Sequence, residues 1–146
     1  MKERVFVDAS AWISIVYRKD KHHQVAKTIY QRLLDSDVLL VVTNWAAYEA
    51  LSFLKSRVGY EPTLKLYKVL TDKELVWWED VTPEVESKAV EIFWRYKDKP
   101  WGIVDCASLI VMEIIGCQCA FGFDHHFVEA AEQYGFVLKT DDLTIG

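Results

Sequence analysis

The 146 residues include only three cysteines, three prolines and six glycines. An odd cysteine count, with Cys106, Cys117 and Cys119 in apolar surroundings, argues for buried reduced thiols and against a disulfide framework. Cys117 and Cys119 stand two apart on an expected strand and should share a face. No second pair is present to complete a zinc site. No run of about 18 apolar residues is free of charge, which argues against a membrane span. The prolines are scattered, and no linker, repeat or low-complexity stretch divides the chain, so residues 1–146 are expected to form one domain. No apolar leader precedes the first strand-like run, and Met1-Lys2-Glu3-Arg4-Val5 reads as the native start of a cytoplasmic protein. A net charge of -5 argues against a protein that coats nucleic acid.

Apolar residues make up 51% of the chain, enough for a sizeable core. Residues 4–7 form a short β-branched run that reads as a strand. Residues 9–17 are apolar around most of a helical circumference, so that helix should be covered on two sides. Helical spacing returns over 22–34, and 38–42 is a continuous apolar run suited to a strand buried on both faces. Asn44 is expected to cap a helix over 44–57, which Gly59 ends. A further helix is read over 62–70, a strand over 75–78, and a helix over 82–96 opened by Thr82-Pro83. Residues 103–115 form a strongly apolar helix ended by Gly116. A strand over 119–123, a helix over 125–134 and a strand over 136–138 follow. Strands separated by helices predict an α/β fold with a mostly parallel five-stranded sheet covered on both faces.

Ligands in such sheets gather at the carboxyl ends of the strands. Asp8 and Asp124 each follow an expected strand directly, and each could be a helix cap, a ligand, or both. Glu49 and Asp105 carry more information. The residues three and four away from Glu49 are Trp45, Ala46, Ser52 and Phe53; those around Asp105 are Trp101, Gly102, Ser108 and Leu109. An unpaired carboxylate on an apolar face needs a cation or a proton. An internal salt bridge would serve, but no Lys or Arg lies between Lys99 and Lys139, the interval that holds Asp105 and Asp124. A divalent metal is the simpler partner, and all-oxygen ligands suit Mg²⁺ or Mn²⁺ better than zinc. Four carboxylates can hold one such ion, or two roughly 4 Å apart across a phosphodiester. With these four set aside, 18 acidic residues face 17 basic ones, so the acidic balance can reflect the site itself.

Four motifs now stand in order: Val7-Asp8-Ala9-Ser10, Thr43-Asn44-Trp45-Ala46-Ala47-Tyr48-Glu49, Trp101-Gly102-Ile103-Val104-Asp105-Cys106-Ala107-Ser108 and Phe123-Asp124-His125-His126-Phe127. With Gly135-Phe136 before the last strand, they cover essentially the whole chain. The sequence resembles the PIN-domain superfamily, and within it the VapC-type toxin ribonucleases of type II toxin–antitoxin systems. The resemblance implies a three-layer α/β/α sandwich and a metal-dependent ribonuclease. It makes Asp8, Glu49, Asp105 and Asp124 an acidic cluster for Mg²⁺ or Mn²⁺, with Ser10 hydrogen-bonding near Asp8. The fourth acid of such families often acts through water, which singles out Asp124. The implied reaction hydrolyses an RNA phosphodiester to a 5′-phosphate and a 3′-hydroxyl. The implied partners are an antitoxin protein and a second copy of the chain. Many relatives carry Ser or Thr at the positions of Gly102 and Gly122, so two supporting hydroxyls are missing here.

His125-His126 follows Asp124 and could extend the metal site, but reads first as a polar first helical turn with a phosphate contact open to it; His22-His23 reads as the solvated start of the second helix. Two basic clusters, Arg18-Lys19-Lys21 and Arg95-Lys97-Lys99, are either solvated loops or contacts to RNA phosphates. The six tryptophans are expected mostly in the core. Trp12 with Ile15 and Val16, and Tyr48 with Leu51, Leu64 and Tyr67, exceed what one sheet face must cover, and so suggest an apolar groove for a partner. Two other functions compete. A catalytically silent PIN-like module would bind RNA or protein without cleaving. A phosphatase using an aspartate nucleophile would need a second Asp where this chain has Ser10.

Overall fold

The computed structural model describes residues 2–139; Met1 and residues 140–146 lie outside it. The described elements run β1 (Arg4–Val7), α1 (Ala9–Val16), α2 (His23–Asp35), β2 (Leu39–Thr43), α3 (Asn44–Arg57), α4 (Tyr60–Leu70), β3 (Val76–Glu79), α5 (Pro83–Arg95), α6 (Ile103–Ile115), β4 (Cys119–Phe121), α7 (His125–Gln133) and β5 (Val137–Lys139). The strands form one sheet in the order β3-β2-β1-β4-β5. All four pairings are parallel, including β1 with both β2 and β4.

This order follows from the handedness of parallel connections. The chain steps outward from β1 to β2 and β3, then returns across the sheet to β4 and β5. Helices α1–α4 therefore cover one face and α5–α7 the other. Strand alternation divides the apolar residues accordingly. Val5, Val7, Leu40 and Val42 pack with Trp12, Ala47 and Leu54, whereas Phe6, Val41 and Ala120 pack with Leu109, Met112 and Phe127. The direction of winding reverses at β1 and β4, so a crevice is expected outside their carboxyl ends. Among the described residues, no helix is long and apolar enough to cross a membrane.

Several local readings are corrected. Thr43, not Asn44, caps α3: its hydroxyl accepts from the Ala46 amide at 3.0 Å. The Asn44 side chain instead accepts from the Val81 amide at 2.8 Å, tying α3 to the loop after β3. Helix α4 begins at Tyr60, two residues before Pro62, which is tolerated because a first-turn amide has no helical partner to lose. Strand β4 ends at Phe121, leaving Gly122 and Phe123 as a short link to Asp124, and Cys117 precedes the strand entirely. His23 is buried, with Nδ1 2.8 Å from the Ser14 carbonyl oxygen. Only Trp12 and Trp101 among the tryptophans are buried; Trp94 is 69% exposed. Trp12 packs edge-on against Tyr30 under α2 and therefore belongs to no surface groove.

Candidate active site

Asp8 leaves the end of β1 and caps α1. Its Oδ2 accepts from the Ser10 amide at 3.2 Å and the Ser10 hydroxyl at 2.7 Å. The same hydroxyl oxygen accepts from the amides of Phe123 (2.9 Å) and Asp124 (3.0 Å). One serine thus joins the loop after β1 to the loop after β4. Asp124 caps α7, with Oδ1 accepting from the amides of His126 (2.9 Å) and Phe127 (3.0 Å). Asp105 sits in the first turn of α6 and accepts from the Gly102 amide at 3.0 Å. Glu49 lies in the second turn of α3. These four elements meet at the crevice, and all four acids line one cleft of about 380 Å³ with Ser10 and His126. Ile13 and Phe53 supply its apolar wall.

The acids are not equally placed. Asp8 is buried, Asp105 is partly buried, and Glu49 and Asp124 are exposed. Helical neighbours suggested that Glu49 needs a counter-charge because it is buried; its side chain instead faces the open cleft. Burial raises the Asp8 carboxyl from 3.8 to about 6, with the charges of Glu49 and Asp124 pushing the same way and the Ser10 bonds opposing. Burial raises Asp105 to about 7, reinforced by Asp8, Asp124 and Glu49 and opposed by the Gly102 amide. Glu49, exposed on one side but partly desolvated by the cleft wall, is also raised, by that desolvation first and the charge of Asp124 second. Each shift comes from desolvation plus negative neighbours, both of which a bound cation would offset. Among the described residues the ion pairs are Lys2–Asp37 and Lys99–Glu129, and neither reaches the cleft.

Hard oxygen donors, partly desolvated and mutually repelling, fit a divalent cation such as Mg²⁺ or Mn²⁺ in chemistry. Their spacing is open: among the described residues, no three His, Cys, Asp or Glu side chains already stand close enough to clasp an ion. Carboxylates without a counter-ion repel one another, so side-chain rotation inward would accompany binding. The thiols stay apart from this chemistry. Burial pushes Cys106 up to about 11 and Cys117 to about 12, far from a reactive thiolate at neutral pH.

The two glycines differ in a way the sequence did not show. A Cβ on Gly122 would stand 3.0 Å from the Asp8 Cβ and 3.0 Å from the Phe127 ring, whereas one on Gly102 would meet only the Asp105 Oδ2, at 3.5 Å. Gly122 therefore lets β4 pass close behind Asp8, where the Ser10 hydroxyl already bridges the two loops. Gly122→Ser is expected to cost about 1–3 kcal/mol by crowding Asp8. Gly102→Ser should stay within a few tenths of wild type, since Gly is only slightly worse than Ser as a cap. Urea denaturation of both variants checks the contrast, and equal midpoints would contradict it. Phe53 was not singled out as a wall of this cleft, whereas His126, already inside the Asp124 motif, lines it and His125 does not.

The comparisons with known proteins agree with this architecture. In solved structures, VapC20 from Mycobacterium tuberculosis, described as a Sarcin-Ricin loop cleaving toxin, is 30% identical. That match covers 91% of this chain and 96% of VapC20, with a TM-score of 0.77. PAE2754 from Pyrobaculum aerophilum is 20% identical over 93% of this chain and 83% of its own, with a TM-score of 0.55. FitAcB from Neisseria gonorrhoeae is 11% identical over 92% and 95%, with a TM-score of 0.62. These two show a shared fold alone. No curated protein matches the sequence. The PIN domain model matches residues 5–133, and the chain belongs to the PIN-domain family.

Proposed function

We propose that the protein is a Mg²⁺- or Mn²⁺-dependent ribonuclease and the toxin of a toxin–antitoxin pair. The observation that carries this reading is the convergence of Asp8, Glu49, Asp105 and Asp124 on one cleft in which their charges reinforce one another without a basic partner. The likeness to VapC20 supports RNA as the substrate class. When bound, a divalent ion supplies the missing positive charge and lowers the pKa of water. Asp8, Glu49 and Asp105 would hold it, with Asp124 as the fourth, outer acid. Ser10 orients Asp8 and fixes the backbone of Phe123 and Asp124, so the acids on both sides of the β1–β4 seam keep their register. The exposed phenol rings of Tyr60 and Tyr67, which with Leu51 and Leu64 line the groove between α3 and α4, support an antitoxin segment as a partner; Tyr48 packs on Trp78 outside that groove. A homodimer, a cytoplasmic location and a single domain over 1–146 complete the proposal.

Mn²⁺-dependent cleavage of structured and single-stranded RNA, run beside Asp8→Asn, tests the central claim. Wild type should cleave and Asp8→Asn should fall by about a hundredfold or more. Equal rates for the two proteins would remove the nuclease assignment from this site. The open spacing of the acids favours one other reading, a silent PIN-like module that binds RNA or protein. Absence of cleavage by both proteins, with binding retained, would select it.

A further inference from the structure

A second cleft, of about 520 Å³, opens beside the acidic one, between the α1–α2 turn and the start of α4. Four cations line it: Arg18 and Lys19 from the turn, Arg57 from the end of α3, and Lys65 from α4. Glu61 is the sole acid on its walls. All four cations are exposed, and none forms an ion pair among the described residues. Such a concentration of unpaired positive charge is unexpected by chance in a chain of net charge -5.

The two clefts share a wall. Phe53 lines the acidic cleft and Tyr17 the basic one, and their rings meet edge to face at 5.8 Å. The Arg57 guanidinium lies over the Phe53 ring at 5.2 Å, held by the ring face instead of by a carboxylate. The turn that carries Arg18 and Lys19 is also ordered. Asp20 Oδ1 accepts from the Ser14 hydroxyl (2.9 Å) and the His22 amide (2.8 Å). His22 stacks flat on Phe123 at 4.4 Å, and the Phe123 amide donates to the Ser10 hydroxyl that holds Asp8. The basic turn is therefore pinned to the same loop that carries the acidic site.

We infer that this basic cleft is a phosphate subsite that binds the RNA backbone on one side of the scissile bond. The inference rests on the ribonuclease reading and deepens it by naming where the substrate strand leaves the acidic cleft. It also redistributes the contacts expected from the sequence: Arg18 and Lys19 belong to the subsite, Lys21 does not line it, and Arg57 and Lys65 join it. RNA phosphates are repelled by the acid cluster, so binding needs cations outside it. Guanidinium and ammonium groups on opposite walls suit a polyanion that threads between them.

The test measures binding of fluorescein-labelled decauridylate by anisotropy in EDTA, where cleavage does not intervene, from 25 to 300 mM NaCl. Arg57→Ala/Lys65→Ala should weaken binding about tenfold and flatten the salt slope by about 1.4, the single-strand value for two lost phosphate contacts. Arg57→Lys/Lys65→Arg should retain the wild-type slope. Lys27→Ala/Lys88→Ala, exposed but outside the cleft, should also retain it. An unchanged slope in the Arg57/Lys65 alanine variant, or no binding by wild type at the lowest salt, overturns the subsite. Loss of binding to a poly-glutamate peptide with an unchanged RNA slope also overturns it, and would mark the cleft as a contact for an acidic protein segment. Cleavage is read separately with Mn²⁺, so a protein that binds with the expected slope yet never cleaves would refute the nuclease reading alone.

Discussion

Asp105→Asn is expected to lower Mn²⁺-dependent RNA cleavage by about a thousandfold while making the metal-free protein more stable. The two effects have one cause. Desolvation first, and then the charges of Asp8, Asp124 and Glu49 around it, hold the partly buried Asp105 carboxyl near 7. An amide of the same shape removes both the desolvated charge and the repulsion, and can still accept from the Gly102 amide. Discounted for the part of the carboxyl that faces water, the gain at pH 7.5 is about 2 kcal/mol. Thermal melting in EDTA and cleavage in Mn²⁺ measure both halves. A variant that is inactive and also less stable than wild type would show that Asp105 holds the fold and not a charge-poised site.

The second large effect is on stability against pH. In the unfolded chain the Asp8 carboxyl loses its proton near 3.8, and in the folded protein it keeps it to about 6; Asp105 keeps its proton to about 7. Between these values the folded state binds more protons than the unfolded one. Stability from these groups is therefore full below pH 4, is lost as pH rises towards 7, and changes little above. Asp8 alone accounts for about 3 kcal/mol, on the order of 10 °C in Tm for a chain of this size. Mn²⁺ should reverse the loss, adding about 2.7 kcal/mol at a hundred times its Kd at pH 7.5 and little at pH 5, where Asp8 and Asp105 keep their protons. Melting curves of wild type and Asp8→Asn/Asp105→Asn from pH 4 to 7.5 isolate the effect, because unrelated groups titrate in both. Parallel curves for the two proteins would contradict it.

The sheet and its helices were legible because their signals are local: β-branched runs, helical spacing, Thr82-Pro83 and Gly116. That the four proposed acids would meet at one cleft was legible for the same reason, since each stands next to a strand end or in an early helical turn. Their burial was not legible. The apolar neighbours of Glu49 describe its own helix, whereas its exposure depends on whether another element fills the space opposite, and there the cleft is open. Trp12 went the other way. It read as surplus apolar surface, but α1 lies between α2 and α3 and buries the ring completely. His23 looked solvated beside His22, yet its ring turns inward to the Ser14 carbonyl. Gly122 read as a lost hydroxyl, and only the approach of Asp8 and Phe127 shows that a side chain has no room there. The basic cleft was half visible, because Arg57 and Lys65 are far from Arg18 in sequence and only the packing of α4 beside the α1–α2 turn unites them.

Asp8 and Asp124 each do two jobs, capping a helix and charging the cleft. Asparagine does the first as well as aspartate but cannot do the second. If these acids serve the proposed chemistry, a one-residue step at either position would silence it while leaving the scaffold and the basic cleft in place. Under the proposed function, duplicated copies of such a gene would have an easy path to decoys that compete for RNA or for the partner without cutting anything. Activity and helix capping are thus separable by asparagine at these two residues, whereas an alanine at either would also remove the cap, at a cost of about 1 kcal/mol.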